Sequence, residues 1–295
     1  MTTIGFIGLG VMGGPMCRNV ALKHNGDVVA FDVVPSAFDI LKDTKAKFVT
    51  KIEEIWAKAD VVLMSLPGGT QVEAVCIGPG GLLSQPRKPW IVIDLSTTLV
   101  STARKVAEAL KPAGVAFADA PVARTREAAQ KGQLSIMVGA PDDLFAKVEP
   151  WLRYMGTDVT HGGDVGTGQA LKLINNTLVF ENVMAIAEMM VLAERAGVKA
   201  EVMVDAVSKG SGDSFALRNH GAKAMVTRNF PEKSFPPEYV MKDLSYSLQL
   251  AQELNVPART AELAMRYYKA TAEGGYAGKY FPAVIEIIDK GGIKG

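Results

Sequence analysis

Residues 3–32 read TIGFIGLGVMGGPMCRNVALKHNGDVVAFD. Thr3 to Ile7 is a short apolar run rich in β-branched side chains, and Pro15 to Ala21 reads as helix. Between them stands Gly8-Leu9-Gly10-Val11-Met12-Gly13, a G-x-G-x-x-G at a strand-to-helix turn. The first glycine allows the tight turn, the second lets a pyrophosphate approach the backbone, and the third lets helix pack on strand. The phosphates would meet free N–H groups at the positive end of the helix dipole. A bare hexad of this kind is a weak signal; its place at the start of the chain, strand before and helix behind, makes it strong. The next strand, Asp27 to Phe31, ends at Asp32, nineteen residues after Gly13. An acid there accepts hydrogen bonds from the adenine-side ribose hydroxyls and repels a 2′-phosphate. Val33 and Val34 follow, with no arginine to receive one. The pattern favours NAD over NADP. The competing role for Asp32 is a helix N-cap ahead of Pro35-Ser36.

The alternation then continues. Asp60 to Ser65, Trp90 to Leu95, Val115 to Ala118 and Leu134 to Val138 are continuous apolar runs, with helical segments at about Gln71 to Cys76 and at Val100 to Leu110. Such runs predict a parallel sheet covered on both faces, an α/β doubly wound Rossmann domain over residues 1–163. Loops at the carboxyl ends of its strands form the crevice where open α/β sheets bind ligands. Leu66, Pro67, Ser96 and Thr97 are candidates to line it, each also an ordinary turn residue.

From Gly166 to Gly197 the chain reads GTGQALKLINNTLVFENVMAIAEMMVLAERAG. Glycines punctuate both ends and Arg195 lies in the last turn, so one helix of about 45 Å is expected at ~1.5 Å rise per residue. Most of its faces are apolar, and Asn175, Asn176, Glu181, Asn182, Glu188 and Glu194 interrupt it too often for a membrane span. Lys172 and Asn176, four apart, project from one face near its start. A lysine in apolar surroundings has its pKa pushed down, which suits proton transfer; the plainer reading is a snorkelling lysine at a helix end. Beyond Met189 every segment reads as helix: Ala200 to Val207, Ser214 to Met225, Tyr239 to Leu254, Ala258 to Ala272 and Phe281 to Ile288. Residues 164–295 are therefore expected to form an all-α domain for substrate and oligomer contacts, built on the long interdomain helix. Its apolar excess points to a homodimer or homotetramer.

Composition narrows the classes. The 295 residues are 48% apolar and 21% charged with a net charge of +1, so neither nucleic acid nor an anionic membrane is an expected partner. Cys17 and Cys76 match no disulfide or metal spacing, and His24, His161 and His220 are too scattered for a histidine metal site. No signal peptide precedes the first strand, and a reduced, cytoplasmic setting is expected.

Four blocks occur in a telling order: Gly5-Phe6-Ile7-Gly8-Leu9-Gly10-Val11-Met12-Gly13, Asp94-Leu95-Ser96-Thr97, Asp119-Ala120-Pro121-Val122, and Gly168-Gln169-Ala170-Leu171-Lys172-Leu173-Ile174-Asn175-Asn176. A fifth is Met241-Lys242-Asp243-Leu244. With them the chain resembles the β-hydroxyacid dehydrogenases, which include 3-hydroxyisobutyrate dehydrogenase, tartronate semialdehyde reductase and 6-phosphogluconate dehydrogenase. The resemblance implies NAD-dependent exchange between a small anionic hydroxy acid and its semialdehyde. It makes Lys172 the proton donor and acceptor, has Asn176 hold the substrate with Asn175 beside it, and places Lys242 and Asp243 near the nicotinamide. The related imine reductases lack a lysine at position 172, so its presence argues for chemistry at oxygen. One block departs from the family pattern. Where Asp-Ala-Pro-Val is usually followed by Ser-Gly-Gly, this chain has Ala123-Arg124-Thr125-Arg126. A guanidinium suits a carboxylate, sulfonate or phosphonate, and the Arg-Thr pair is similar to that of sulfolactaldehyde reductases. On this reading Ser96, Val122, Ala123, Arg124 and Thr125 bind the anionic end. The competing reading has Arg124 facing solvent or paired with an acid such as Glu127. Oxidation of 3-hydroxyisobutyrate or 2-(hydroxymethyl)glutarate, or a catalytically silent NAD(H)-binding protein, are the functional alternatives.

Overall fold

A computed structural model describes residues 1–232 and 234–293. The chain forms two compact units, Met1–Lys172 and Leu173–Gly295. In the first, nine strands make one sheet: β1 (Ile4–Ile7), β2 (Val28–Phe31), β3 (Lys47–Phe48), β4 (Val61–Met64), β5 (Ile91–Asp94), β6 (Ala116–Asp119), β7 (Val122–Ala123), β8 (Leu134–Gly139) and β9 (Gly156–Gly163). Their order is β3-β2-β1-β4-β5-β6-β8-β7, with β9 paired to β8. From β3 to β6 all neighbours are parallel, and the chain changes direction across the sheet between β1 and β4. Register pairs Ile7 with Phe31 and Met64, Met64 with Asp94, and Asp94 with Asp119. Those strands therefore end flush, and the residues that follow them share one edge.

Alternation on the pleat explains why the strands read as unbroken apolar runs. Ile4, Phe6, Leu63 and Ile93 face a core closed by α1 (Gly13–Lys23) and α6 (Asp142–Leu152). Ile7, Val62, Met64 and Val92 face a second core closed by α2 (Glu53–Lys58), α3 (Gly69–Ile77) and α4 (Val100–Leu110). Cys17 and Cys76 are free thiols, one buried in each core.

The parallel expectation fails at one side of the sheet. Leu134–Gly139 runs antiparallel to β6 and β7, and parallel to β9. Strand β9 was not anticipated; its last residue, Gly163, is the one at which the expected first domain ends. Its sequence GTDVTHGG carries one large apolar residue and is fully buried only at Gly156, so no hydrophobic period announces it.

Helix α7 (Thr167–Arg195) runs between Gly166 and Gly197, both at positive φ, a backbone conformation that favours glycine. By length and composition it is apolar enough to cross a membrane; the polar residues do not exclude that as the sequence reading supposed. Burial shows what it does here. Phe180, Val183, Ala187, Met190 and Val191 form the core of the second unit with Val240, Leu244, Ala264, Tyr268, Phe281 and Ile285. The partners come from α9 (Pro237–Glu253), α10 (Arg259–Thr271), the 3-10 helix Phe281–Ala283 and α11 (Val284–Asp289); α8 (Ala200–Ser208) precedes them, and α5 (Arg126–Lys131) belongs to the first unit. The segment expected as an α-helix over Ser214 to Met225 is a π-helix at Leu217–Met225.

Candidate active site

The glycine-rich turn shows a division of labour that the motif alone leaves unstated. Gly8 has φ +91°, and a Cβ on it would stand 2.2 Å from the Ser65 carbonyl oxygen. A Cβ on Gly13 would stand 2.1 Å from the Gly8 carbonyl oxygen. Both are forced by packing. Gly10 has no atom within 4 Å of its Cβ position, and it and Val11 are exposed while Leu9 is buried in the core and Met12 packs against it. Helix α1 then begins without a side-chain cap or an acid in its first turn. An open backbone at an uncapped helix N-terminus fits a pyrophosphate. The Asp32 carboxylate accepts hydrogen bonds from Leu9 N (2.6 Å) and Val34 N (2.7 Å). It pins the glycine turn to the end of β2; the short 3-10 helix Pro35–Leu41 starts after Val34 with no side-chain cap, so Asp32 does not serve as its N-cap. Half-buried Asp32, exposed Val33 and exposed Gly10 fit an extended dinucleotide laid along this edge.

Beyond β4 and β5 the same edge is tied together by buried side chains. Ser96 Oγ accepts from Leu66 N (2.8 Å), and Ser96 N donates to Asp94 Oδ1 (2.9 Å). Ser96 lies below the surface, holding two loops together, whereas Pro67 is exposed and Thr97 half-buried. The sequence reading assigned no role to Gln169 or Asp119. Gln169 is fully buried; its Oε1 accepts from Thr98 N (2.9 Å) and its Nε2 donates to the Ser96 carbonyl oxygen (2.8 Å). Asp119 accepts from Gly166 N (2.6 Å) and Gln169 N (2.7 Å). Burial pushes Asp119 up to about 6, against the lowering effect of those two N–H groups. Burial likewise pushes Asp94 up to about 7, opposed by Ser96, and its Oδ2 has no hydrogen-bond partner. Both carboxylates and Gln169 stand inside the quoted motif blocks, but only the fold shows what they touch.

Lys172 and Asn176 are each 9% exposed and lie four residues apart on α7. Lys172 closes the first compact unit. In the second, Asn176 Nδ2 donates to Asp243 Oδ2 (2.7 Å), and Asn175 Nδ2 donates to Asn176 Oδ1 (3.1 Å). Asp243 is buried, and its Oδ1 lies 3.1 Å from Lys242 Nζ as an ion pair without hydrogen-bond alignment. The carboxylate expected beside the cofactor is thus engaged in orienting the Asn176 amide.

Arg124 also differs from its leading sequence expectation. Its guanidinium pairs with Asp158 (2.7 Å) and donates to the Gln133 carbonyl oxygen (2.7 Å) and Thr157 Oγ1 (3.1 Å). The acid it meets is therefore on β9; Glu127, the suggested partner, pairs with Lys131. Thr157 and Arg124 hold the Asp158 carboxyl below its ordinary value. Arg124 has φ +85°, a conformation that costs a side-chain-bearing residue roughly 1–3 kcal/mol. It occupies the position where the resembling family carries glycine, and it keeps the glycine-like backbone. Val122 and Ala123 are buried in β7, and Thr125 caps α5 by accepting from Ala128 N.

Comparison with known proteins agrees with this geometry. Residues 3–163 match the NAD binding domain of 6-phosphogluconate dehydrogenase, and residues 166–288 match the family described as NAD-binding of NADP-dependent 3-hydroxyisobutyrate dehydrogenase. The chain is 34% identical to 2-(hydroxymethyl)glutarate dehydrogenase of Eubacterium barkeri, over 97% of this chain and 95% of the other. It is 32% identical to an NAD-dependent L-serine dehydrogenase of Pseudomonas aeruginosa over 98% of both. The solved structure of Mycobacterium tuberculosis 3-hydroxyisobutyrate dehydrogenase with L-serine superimposes with a TM-score of 0.88 at 29% identity, covering 98% of this chain and 99% of that one. With the glycine cradle, the edge carboxylate and these relatives together, the chain belongs to the β-hydroxyacid dehydrogenase family and is an NAD-dependent hydroxyacid dehydrogenase.

Proposed function

We propose that the enzyme interconverts a short β-hydroxy carboxylic acid and its semialdehyde, with Lys172 as general acid and base. The observation that carries this reading is a buried lysine in the second turn of α7, a helix whose start is hydrogen-bonded to the loop after β5. Gly8 to Gly13 and Asp32 would hold the pyrophosphate and adenine ribose, flanked by Leu66, Pro67 and Thr97. Bound NAD supplies the hydride acceptor, and NADH the donor. In oxidation neutral Lys172 takes the hydroxyl proton; in reduction its ammonium form returns a proton to the carbonyl oxygen. Asn176, fixed by Asp243, orients the substrate. Lys242, by family resemblance, belongs to the cofactor side.

The acid group is assigned to the Val122–Thr125 segment. A carboxylate fits this reading with Arg124 left on Asp158. A hydroxy-sulfonate, as in sulfolactaldehyde reductases, is the second reading; what favours it is a permanent cation held exposed on this segment. It requires the guanidinium to leave Asp158, Gln133 and Thr157.

The test is a turnover screen with NAD and NADP side by side on 3-hydroxyisobutyrate, L-serine, 2-(hydroxymethyl)glutarate and a hydroxy-sulfonate. Lys172→Ala should lower turnover by ~10² or more while NADH affinity stays near normal; full turnover would remove the lysine from the mechanism. Arg124→Ala should leave monocarboxylate turnover largely intact. Selective loss on sulfonates or dicarboxylates would instead establish the second reading. NADH binding without turnover of any member of the panel would favour a silent binding protein.

A further inference from the structure

We infer that Asp119 and Gln169 are positioning residues for proton transfer at Lys172, fixing where the first turns of α7 stand against the ends of β5 and β6. This rests on the general acid–base reading of Lys172. A helix start leaves four backbone N–H groups without intrahelical partners. Two at this one, those of Gly166 and Gln169, are met by a carboxylate from the end of β6. A negative group there is also favoured by the helix dipole. The contact leaves no slack. A Cβ on Gly139 would stand 2.4 Å from Asp119 Oδ1, and one on Gly168 would stand 2.5 Å from the Met137 carbonyl oxygen, so helix and sheet backbones meet directly.

Asp119 sets the height of the helix, and Gln169 sets its rotation. The Gln169 amide reads one acceptor and one donor, the Ser96 carbonyl and the Thr98 N–H, with both of its own ends occupied. A slip of one residue would turn the helix by about 100° and take both contacts away. Lys172 lies three residues further on, its neighbour on the helix surface in the next turn. Locking Gln169 therefore locks the Lys172 Cα, although Gln169 itself need not touch substrate. Ser96, whose hydroxyl joins this junction to Leu66, extends the same rigid body to the loop after β4.

The experiment is a double-mutant cycle on turnover of whichever member of the four-substrate panel wild type oxidises fastest with NAD. Wild type, Gln169→Glu, Lys172→Ala and the double variant are compared, with melting temperature and an NADH-fluorescence titration for each. Gln169→Glu keeps the acceptor for Thr98 but loses the donor to Ser96. It should lower kcat by about 10- to 100-fold, the scale of an ångström-sized misplacement, with NADH affinity within about twofold. In the Lys172→Ala background the same change should cost almost nothing further, because the group being positioned is gone. Asp119→Asn, which sets an amide N–H₂ against one helix N–H, should behave alike if it folds. Equal losses from Gln169→Glu with and without Lys172 would overturn the inference while leaving the lysine's role intact. Full activity of Lys172→Ala, or a wild type that turns over no member of the four-substrate panel, would instead remove the reading on which it rests.

Discussion

The two compact units use their apolar side chains differently. In Met1–Lys172 the sheet is hidden on both faces, and the large exposed apolar residues are few: Val11, Val33 and Val34 on the glycine-turn edge, with Met1, Leu22 and Trp90 elsewhere. In Leu173–Gly295, α7 is buried on one side and bears an exposed stripe of Ile174, Leu178, Met189 and Leu192 on another. Successive spacings of 4, 11 and 3 residues put these four on one face of the helix. The first unit satisfies its own core; the second presents more apolar surface than its core consumes. A homodimer or homotetramer would cover that stripe, and the oligomer remains our proposal.

The strongest way to break the contrast is to disturb the closed unit where it has no room. Gly13→Val should abolish NADH binding in a fluorescence titration, because its Cβ would overlap the Gly8 carbonyl oxygen. Retained binding would mean that the turn is looser than it stands here. A smaller effect should follow from the buried acids. Burial raises Asp94 to about 7 and Asp119 to about 6, both from 3.8. Each proton is held more tightly in the folded than in the unfolded chain, so the associated stability is complete below the ordinary carboxylate range. It is lost as pH rises through about 6 to 7. The melting temperature should therefore fall between pH 5 and pH 8, and Asp94→Asn should flatten that fall; a melting temperature that climbs over the same interval would refute the assignment. The mildest change concerns the open unit. Leu178→Glu with Leu192→Glu should lower the solution mass measured by light scattering. A single chain should lose little stability from the pair, since exposed substitutions usually matter by under ~0.5 kcal/mol each. An unchanged mass would leave the stripe without the proposed occupant.

Legibility followed sequence distance. The glycine hexad, Asp32, the apolar strands and the Lys172–Asn176 spacing could be read because each is a local pattern whose period or spacing is itself the signal. The junction around Gln169 could not. Its partners Ser96 and Thr98 lie more than seventy residues earlier, and a buried glutamine in a helical run looks like any polar interruption. Arg124 was legible as a departure from the family pattern. Its partner was not, because Asp158 sits on a strand with almost no apolar alternation. Asp243 was recognised by motif but not by role, since its contact to Asn176 spans 67 residues.

By itself the sequence determined which segments alternate between sheet and helix, where backbone must come close enough to demand glycine, and which side chains have the chemistry to hold a dinucleotide and move a proton. Those properties reside in neighbouring residues and in steric limits that any fold must respect. Tertiary structure alone decided that β8 turns antiparallel, that Arg124 faces Asp158, and that Asp119 and Gln169 seat the helix bearing Lys172. Each joins groups far apart in the chain: backbone ladders for β8, an exposed ion pair for Arg124 and, at the start of α7, buried polar groups. Desolvation makes such groups costly unless some partner is found, but only the packed chain determines which partner is within reach.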